Sequence, residues 1–320
     1  MNLNEFKNRS ETFDDNSIIT EVEGRIVKGI AGFYYVNTHF GVVTTQGRGN
    51  LKRDGATLYV GDKVKLTILN YDKSDYDGEL KGVIEDVLPR RNSFVRPQIA
   101  NVDLIAIVVS AKKPKVNLNL LDKFLCVCEC KNVDCIICVN KTEDEQGSSV
   151  YEQIKDIYKD MYETVAISAK KSIGIDDLRS RFDGITVALA GPSGVGKSTV
   201  LNALIGRGHM QVGDISRKTK RGRHTTRHVE LIPLDTEVNS FIFDTPGFSS
   251  LDLPDIDKFD LRYCFPELER IGMQCDFKDC LHIKEPSCAV LEALSKGEIS
   301  GSRYDSYKLF LNDISNKKKY

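Results

Sequence analysis

"GITVALAGPSGVGKST", Gly184–Thr199, decides the fold. An apolar strand, Ile185–Ala190, runs into Gly191-x4-Gly196-Lys197-Ser198 and then into helical spacing over Thr199–Ile205. A strand, a glycine loop and a helix in that order make a phosphate loop. Gly191, Gly194 and Gly196 let the backbone turn its N–H groups toward phosphate oxygens. Pro192, Ser193, Val195 and Thr199 fill the remaining nucleotide-contacting positions. The helix N-terminus adds positive potential, Lys197 neutralises β/γ charge as phosphoryl transfer requires, and the Ser198 hydroxyl ligates Mg2+. The stretch predicts a nucleoside triphosphate site.

Downstream, "NSFIFDTPGF" (Asn239–Phe248) reads as a strand ending in Asp244. That carboxylate is placed to hold the metal through a water, and Gly247 to bring its N–H to the γ-phosphate. Between the two elements lies "SRKTKRGRHTTRH" (Ser216–His228), with six Lys/Arg and no acid. Such a run is as readily a solvated loop as a binding surface. A switch loop with a second Mg2+-ligating threonine belongs here, and Thr225 and Thr226 both remain open for that role.

Upstream, "VNKTED" (Val139–Asp144) ends the apolar run Cys135–Cys138, and "SAK" (Ser168–Lys170) ends the next strand. Asn140, Lys141, Thr142 and Glu143, with Ser168, Ala169 and Lys170, are the residue types that grip guanine. An acid accepts from N1–H and the exocyclic amine, and a backbone N–H near Ala169 reaches O6. The linear order is base loop, base loop, phosphate loop, switch, metal loop. In an ordinary nucleotide switch the last three come first. Rejoining the termini of a compact domain and reopening it at an exposed loop explains the order as a circular permutation. The base-reading acid is Glu143, one methylene longer than the usual aspartate, and Asp144 follows it. A misplaced acid forfeits part of the roughly 1.5–3 kcal/mol that hydrogen bonds to a charged group supply.

The 320 residues are 41% hydrophobic and 28% charged with net charge −1, which describes a soluble globular chain of two or three domains. Its longest wholly apolar stretch, Leu104–Val109, is far short of a membrane span. The polar N-terminus lacks the apolar core of a secretory signal, so a cytoplasmic protein with no membrane role is expected. Residues ~20–90 alternate with a period of two over five short strands separated by turns, as in an oligonucleotide/oligosaccharide-binding (OB) β-barrel. Residues ~93–250 alternate buried strands with helices, which predicts a parallel sheet covered on both faces. From ~251 the pattern is helical and loop-rich. The expected domains are 1–92, a tail and OB-fold RNA-binding barrel; 93–251, a circularly permuted P-loop GTPase domain; and 252–320, a helical zinc-binding domain.

Cys275-x4-Cys280-x-His282-x5-Cys288 offers three thiolates and one imidazole, a closed tetrahedral set for one structural Zn2+. Cys126, Cys128 and Cys130 fall within one helix, Cys135 and Cys138 within one strand, and Cys264 lies upstream of the metal set. These six are expected to be core or half-buried thiols.

"NKTE", "SAK", "GPSGVGKST", "GRHTT", "DTPGF" and the Cys/His set together resemble the circularly permuted, small-ribosomal-subunit-dependent GTPases of bacteria, the RsgA/YjeQ family. The resemblance covers nearly the whole chain. It implies Mg2+-dependent GTP hydrolysis stimulated by the small (30S) subunit, a late role in maturing that subunit, and a monomer that binds rRNA. Many switches place a glutamine after the metal-loop glycine to orient water, but here that position is Phe248. His224 is similar to the family histidine proposed for that task and is the expected catalytic residue; Arg223 is an alternative source of charge. Arg48, Lys52, Arg53, Lys63 and Lys65 make the barrel locally basic, with Phe33, Tyr34, Tyr35 and Tyr59 as aromatic neighbours and "KKK" near the end. Two other readings stay open: a P-loop ATPase or kinase that has abandoned guanine, and an RNA-binding scaffold with a structural nucleotide.

Overall fold

The computed structural model describes residues 19–48, 57–69, 80–208, 229–235, 239–245, 248 and 252–316. The chain divides into two compact units, residues 1–90 and 91–320.

The first unit is a barrel of five strands: β1 (Ile19–Ile30), β2 (Phe33–Thr38), β3 (Gly41–Gly47), β4 (Lys63–Ile68) and β5 (Leu80–Val87). β1 pairs with β2, β2 with β3, β3 with β5, β5 with β4, and β4 returns to β1. The ring closes, and only the β3–β5 pairing is parallel. Alternation in the sequence becomes alternation in burial: Val64, Leu66 and Ile68 point inward from β4, while Lys63 and Lys65 point out. Val22, Ile26, Val36, Val43, Leu80 and Ile84 complete the barrel core. This is the OB-type barrel that the period-two pattern predicts. At its base the buried Asp62 carboxylate accepts from Arg90 at 2.6 and 2.8 Å and from the Tyr59 N–H at 2.7 Å. The Arg90 guanidinium lies 4.2 Å over the Tyr59 ring, so that aromatic face is taken within the barrel. Arg48 pairs with Glu85. Lys52 and Arg53 lie outside the described residues.

The second unit opens with a two-stranded hairpin, β6 (Ser93–Phe94) and β7 (Ile99–Ala100). Its sheet is built from β8 (Leu104–Ser110), β9 (Asp134–Asn140), β10 (Glu163–Ile167), β11 (Thr186–Ala190), β12 (Glu230–Asp235) and β13 (Ser240–Asp244). The spatial order is β10-β9-β8-β11-β13-β12. All neighbours are parallel except β12 with β13. β12 is a strand the sequence reading did not expect, because Pro233 and the neighbouring basic run obscure its alternation. Val187, Ala188, Leu189 and Ala190 are all buried, as a strand covered on both faces requires. Helices α1 (Leu118–Cys130), α2 (Glu145–Tyr158), α3 (Ile175–Ser180) and α4 (Lys197–Gly208) make the crossovers. Asn117 caps α1 and Asp144 caps α2, each accepting a backbone N–H three residues on.

Successive strands run outward in opposite directions from β8 and β11. That reversal creates a crevice at the carboxyl ends of these two strands, where open α/β sheets bind ligands.

Residues 252–316 form a helical layer in the same unit: the 3-10 turn Leu261–Cys264, then α5 (Pro266–Gly272), α6 (Ala289–Ser295) and α7 (Gly301–Asn316). Leu261, Phe265, Leu268, Val290, Tyr307 and Phe310 build its core, which Cys126 of α1 joins. Arg303 of α7 is wholly buried. It donates to Glu267 at 2.7 and 3.1 Å and to Asp122 of α1 at 2.8 Å. Asp122 also accepts from the Tyr158 hydroxyl at 2.6 Å, and burial leaves its pKa raised although Arg303 acts to lower it. Cys130 and Cys264 are joined in a disulfide between α1 and the 3-10 turn. This corrects the expectation of free thiols at these two positions: a turn distant in sequence docks against the face of α1 that carries Cys130. Among the described residues no helix is long and apolar enough to cross a membrane.

Candidate nucleotide-binding site and metal centre

The phosphate loop leaves β11 and enters α4 at the crevice. Gly191, Gly194 and Gly196 have φ of +131°, +82° and +102°, values that favour glycine. A Cβ on Gly191 would stand 2.1 Å from the Val108 carbonyl oxygen of β8. A Cβ on Gly196 would stand 2.5 Å from the Asn140 amide nitrogen. Ser193, Ser198 and Thr199 are exposed toward solvent, and Val195 is buried beneath the loop. Lys197 folds back, donating from Nζ to the carbonyl oxygens of Gly191 at 2.6 Å and Pro192 at 2.8 Å. Partial burial lowers its pKa. An arriving phosphate offers the ammonium a full negative charge in place of two carbonyl dipoles.

Asn140 joins the three nucleotide loops. Its Nδ2 donates to the Val195 carbonyl at 2.9 Å, and its Oδ1 accepts from the N–H of Ala169 at 3.1 Å and of Lys141 at 2.9 Å. Lys141, at φ +69°, lays its chain along the loops and donates from Nζ to the carbonyl oxygens of Lys113 and Gly194. Thr142 donates from Oγ1 to the Ile167 carbonyl at 3.0 Å. The backbone N–H expected to contact guanine O6 near Ala169 is therefore not that of Ala169 itself, which Asn140 occupies. Lys170, the next residue, is exposed.

Glu143 carries both oxygens toward neighbours. Lys112 donates to Oε1 at 2.9 Å and the Ser168 hydroxyl to Oε2 at 2.8 Å. These partners, Lys112 first, pull the Glu143 carboxyl below its usual range. Asp144, bonded to Lys112 at 2.7 Å and capping α2 through Gly147, faces its own helix. Of the two adjacent acids, Glu143 is the one that faces the Ser-Ala-Lys loop. Lys112 was not singled out in the sequence. The signal for it is a second Ser-Ala-Lys triplet, Ser110–Lys112, ending the adjacent strand β8.

Asp244 ends β13, which runs parallel to β11, at the same end of the sheet as the loop that leaves β11. Phe248 is buried, packs edge-to-face on Phe94 at 5.6 Å, and accepts from the Gly191 N–H at 3.0 Å. Its ring belongs to the core. His224, Thr225, Thr226 and Gly247 lie outside the described residues, as do Arg223 and the terminal lysines.

Cys275, Cys280, His282 and Cys288 converge with all four donor atoms within 4.8 Å of one another. A tetrahedral ion with arms of about 2.3 Å to sulfur and about 2.0–2.1 Å to nitrogen needs edges of roughly 3.8 Å between sulfurs and 3.6 Å from sulfur to nitrogen. The structure has Cys275–Cys288 at 3.9 Å and Cys280–Cys288 at 3.7 Å, with His282 Nδ1 at 3.6 and 3.5 Å from Cys275 and Cys288. The residues present fit a closed Zn2+ site. Tyr304 and Tyr307 donate to the carbonyls of His282 and Leu281, and Glu285 accepts three backbone N–H groups of the loop. Those N–H groups outweigh burial and lower the Glu285 carboxyl to about 2.

Comparison with known proteins gives concordant matches. Residues 87–254 match the model of the RsgA GTPase family, and residues 23–74 that of the RsgA N-terminal domain. A small ribosomal subunit biogenesis GTPase RsgA of Clostridium perfringens is 42% identical over 298 residues, covering 93% of this chain and 99% of that protein. Its namesake in Clostridium kluyveri is 45% identical over 301 residues, covering 93% and 100%. The crystal structure of YjeQ from Thermotoga maritima superimposes with a TM-score of 0.77 at 32% identity, covering 93% of this chain and 100% of that one. YloQ, described as a circularly permuted GTPase, gives 0.75 at 33% identity, with 94% and 97% covered.

Proposed function

The chain belongs to the RsgA GTPase family, and from that premise we propose that it hydrolyses GTP as a factor in small ribosomal subunit biogenesis. The observation that carries this reading is Asn140, which bonds the Asn-Lys loop to the Ser-Ala-Lys loop and to the phosphate loop. Those bonds support reading the three loops as one nucleotide crevice.

The residues divide the work by chemistry. Gly191 to Thr199 cradle the phosphates, and Lys197 moves from its loop carbonyls to the β/γ oxygens. Glu143, with Asn140 to Thr142 and Ser168 to Lys170, reads guanine as an ionised acceptor. Gly247 meets the γ-phosphate. Mg2+, when bound with GTP, neutralises charge between the β- and γ-phosphates; Ser198, Asp244 and one of Thr225 or Thr226 would hold it. Phe248 has no polar atom to offer an attacking water, so orienting that water falls to His224. Cys275, Cys280, His282 and Cys288 would hold one structural Zn2+ that fastens the helical layer. The barrel and the basic segments supply phosphate contacts to rRNA on the subunit, and the protein works as a cytoplasmic monomer.

The test is multiple-turnover hydrolysis of GTP and ATP, with and without purified small ribosomal subunits, at fixed salt and Mg2+. GTP-selective turnover that rises roughly tenfold or more with subunits is expected, since completing a switch site in trans commonly gives much larger gains. Turnover that ignores subunits or prefers ATP overturns the reading. His224→Ala is expected to bind GTP normally and to lose the stimulated turnover.

A further inference from the structure

Helix α1 meets the C-terminal layer through sulfur. Cys126 and Cys130 are four residues apart on α1 and share a face. Cys264 ends the 3-10 turn packed against them. The three Sγ atoms all lie within 4.8 Å of one another. Cys126 is fully buried, Cys264 buried and Cys130 half-buried, in a core formed by Leu253, Leu261, Phe265 and Leu268. In this state Cys130 and Cys264 are paired and Cys126 is a free thiol beside the bond. The trio shares no residue with the Cys275–Cys288 set.

We propose that Cys126, Cys130 and Cys264 form a second metal site under redox control, which binds one Cu(I) ion in trigonal thiolate coordination when reduced and closes when Cys130 and Cys264 pair.

The donor set selects the ion. Three soft sulfurs suit Cu(I), and among the described residues no imidazole or carboxylate joins this group to complete a tetrahedron for zinc. Three sulfurs on arms of about 2.3 Å stand about 4 Å apart; the trio lies within 4.8 Å, and on reduction Cys130 and Cys264 must separate from their bonded distance to reach that spacing. The surround is largely apolar, with Cys130 half-buried at its edge. The buried Arg303 guanidinium acts on Cys126 and offsets part of the negative charge that three thiolates bring. Burial meanwhile pushes the Cys126 thiol up to about 12.

The chemistry balances with a low-molecular-weight thiol as reductant. Two such thiols give two electrons and two protons to the Cys130–Cys264 bond, yielding two cysteine thiols and one low-molecular-weight disulfide. Binding of Cu(I) then forms three metal–sulfur bonds as the thiol protons are released to solvent. An oxidising disulfide reverses the first step once the ion has left.

The experiment uses the full chain carrying its zinc, reduced with a phosphine under argon and titrated with Cu(I) held by a competing chelator. Metal content, thiol count and sulfur-to-copper charge-transfer absorption are read together. Reduced wild type is expected to take one Cu(I) with its zinc retained, and the oxidised protein none. Cys126→Ser should weaken Cu(I) binding more than about tenfold while still forming the Cys130–Cys264 bond on oxidation. Cys126→Ala is carried alongside because the apolar core disfavours a hydroxyl, and Cys264→Ser should lose both properties. Equal copper binding by the Cys126 variants, binding by the oxidised protein, zinc displaced one for one, or no binding by reduced wild type would each overturn the proposal.

Discussion

The Asn140 side-chain amide donates to the Val195 carbonyl at 2.9 Å, fastening the end of a base-reading strand to a phosphate loop 55 positions later in the chain. Asn140 is thus a strut between loops. Asn140→Ala leaves the Val195 carbonyl and the Ala169 N–H without their partner, a cost of about 1–3 kcal/mol in stability. Because the strut sets the phosphate loop, affinity for GTP and for ATP should fall together. Denaturant melts and titration with both nucleotides check this. A loss confined to guanine nucleotides would mean that Asn140 acts on the base alone.

If Glu143 reads guanine as proposed, Lys112 sets the acid limit of that recognition. It bonds both Glu143 and Asp144 and lowers the pKa of each. A carboxyl with a depressed folded pKa acts as an anion above its ordinary value and loses that role only as pH falls through the lower folded value. Preference for GTP over ATP should therefore persist below the ordinary glutamate pKa of about 4.3. Lys112→Met should move the loss of preference up toward that value. The ratio of GTP to ATP affinity, measured across pH, gives the answer.

Gly191→Ala has no room. Its Cβ would strike a backbone oxygen of β8 at 2.1 Å, and φ of +131° is strained for alanine. Rearranging the strand junction should cost roughly 1–3 kcal/mol and abolish triphosphate binding. Gly194→Ala meets only Pro114 at 3.6 Å, so it should lose less by the same two measurements.

Arg303→Met strands two buried carboxylates, Glu267 and Asp122. Breaking a buried ion cluster from one side costs about 3–5 kcal/mol. Chemical melts should show that loss, and the C-terminal layer should be the first segment opened to protease. If stability is unchanged, the cluster does not hold α7 to α1.

Chelation should remove one zinc per chain and lower the Tm of the C-terminal layer, while triphosphate binding survives. His282→Ala should give the same phenotype without chelator. Glu285 adds a pH signature. Its carboxyl, lowered to about 2 by three backbone N–H groups, stabilises the ligand loop above the ordinary glutamate range and stops doing so as pH falls toward that value. Glu285→Ala should therefore weaken zinc retention at neutral pH, read by a colorimetric chelator.

Of the candidate site, the sequence made legible the loop shapes that contiguous residues set. Gly191 to Ser198 and Asn140 to Glu143 each declare a backbone shape and a charge within a few positions. The alternating barrel strands and the four helical crossovers were readable for the same reason, since periodicity is local. What escaped was set by packing. Lys112 reaches Glu143 only because β8 and β9 pair in register, Ser110 against Asn140. Cys264 finds Cys130 only because a short turn docks on one particular face of α1. The four-residue spacing of Cys126 and Cys130 was visible, but the third sulfur across from them was not.

The reversal of strand order at β8 and β11 also constrains how the protein is made. On the ribosome the chain emerges N-terminus first, so β8, β9 and β10 are synthesised before any of the phosphate machinery. Until β11 arrives, β8 presents an open, largely apolar edge in the middle of the future sheet. Domains tend to fold as units during synthesis, and unpaired strand edges invite wrong partners. The nascent base-reading half is therefore the vulnerable intermediate of biosynthesis. β11 closes that edge and brings the phosphate loop with it, and β13 then pairs with β11.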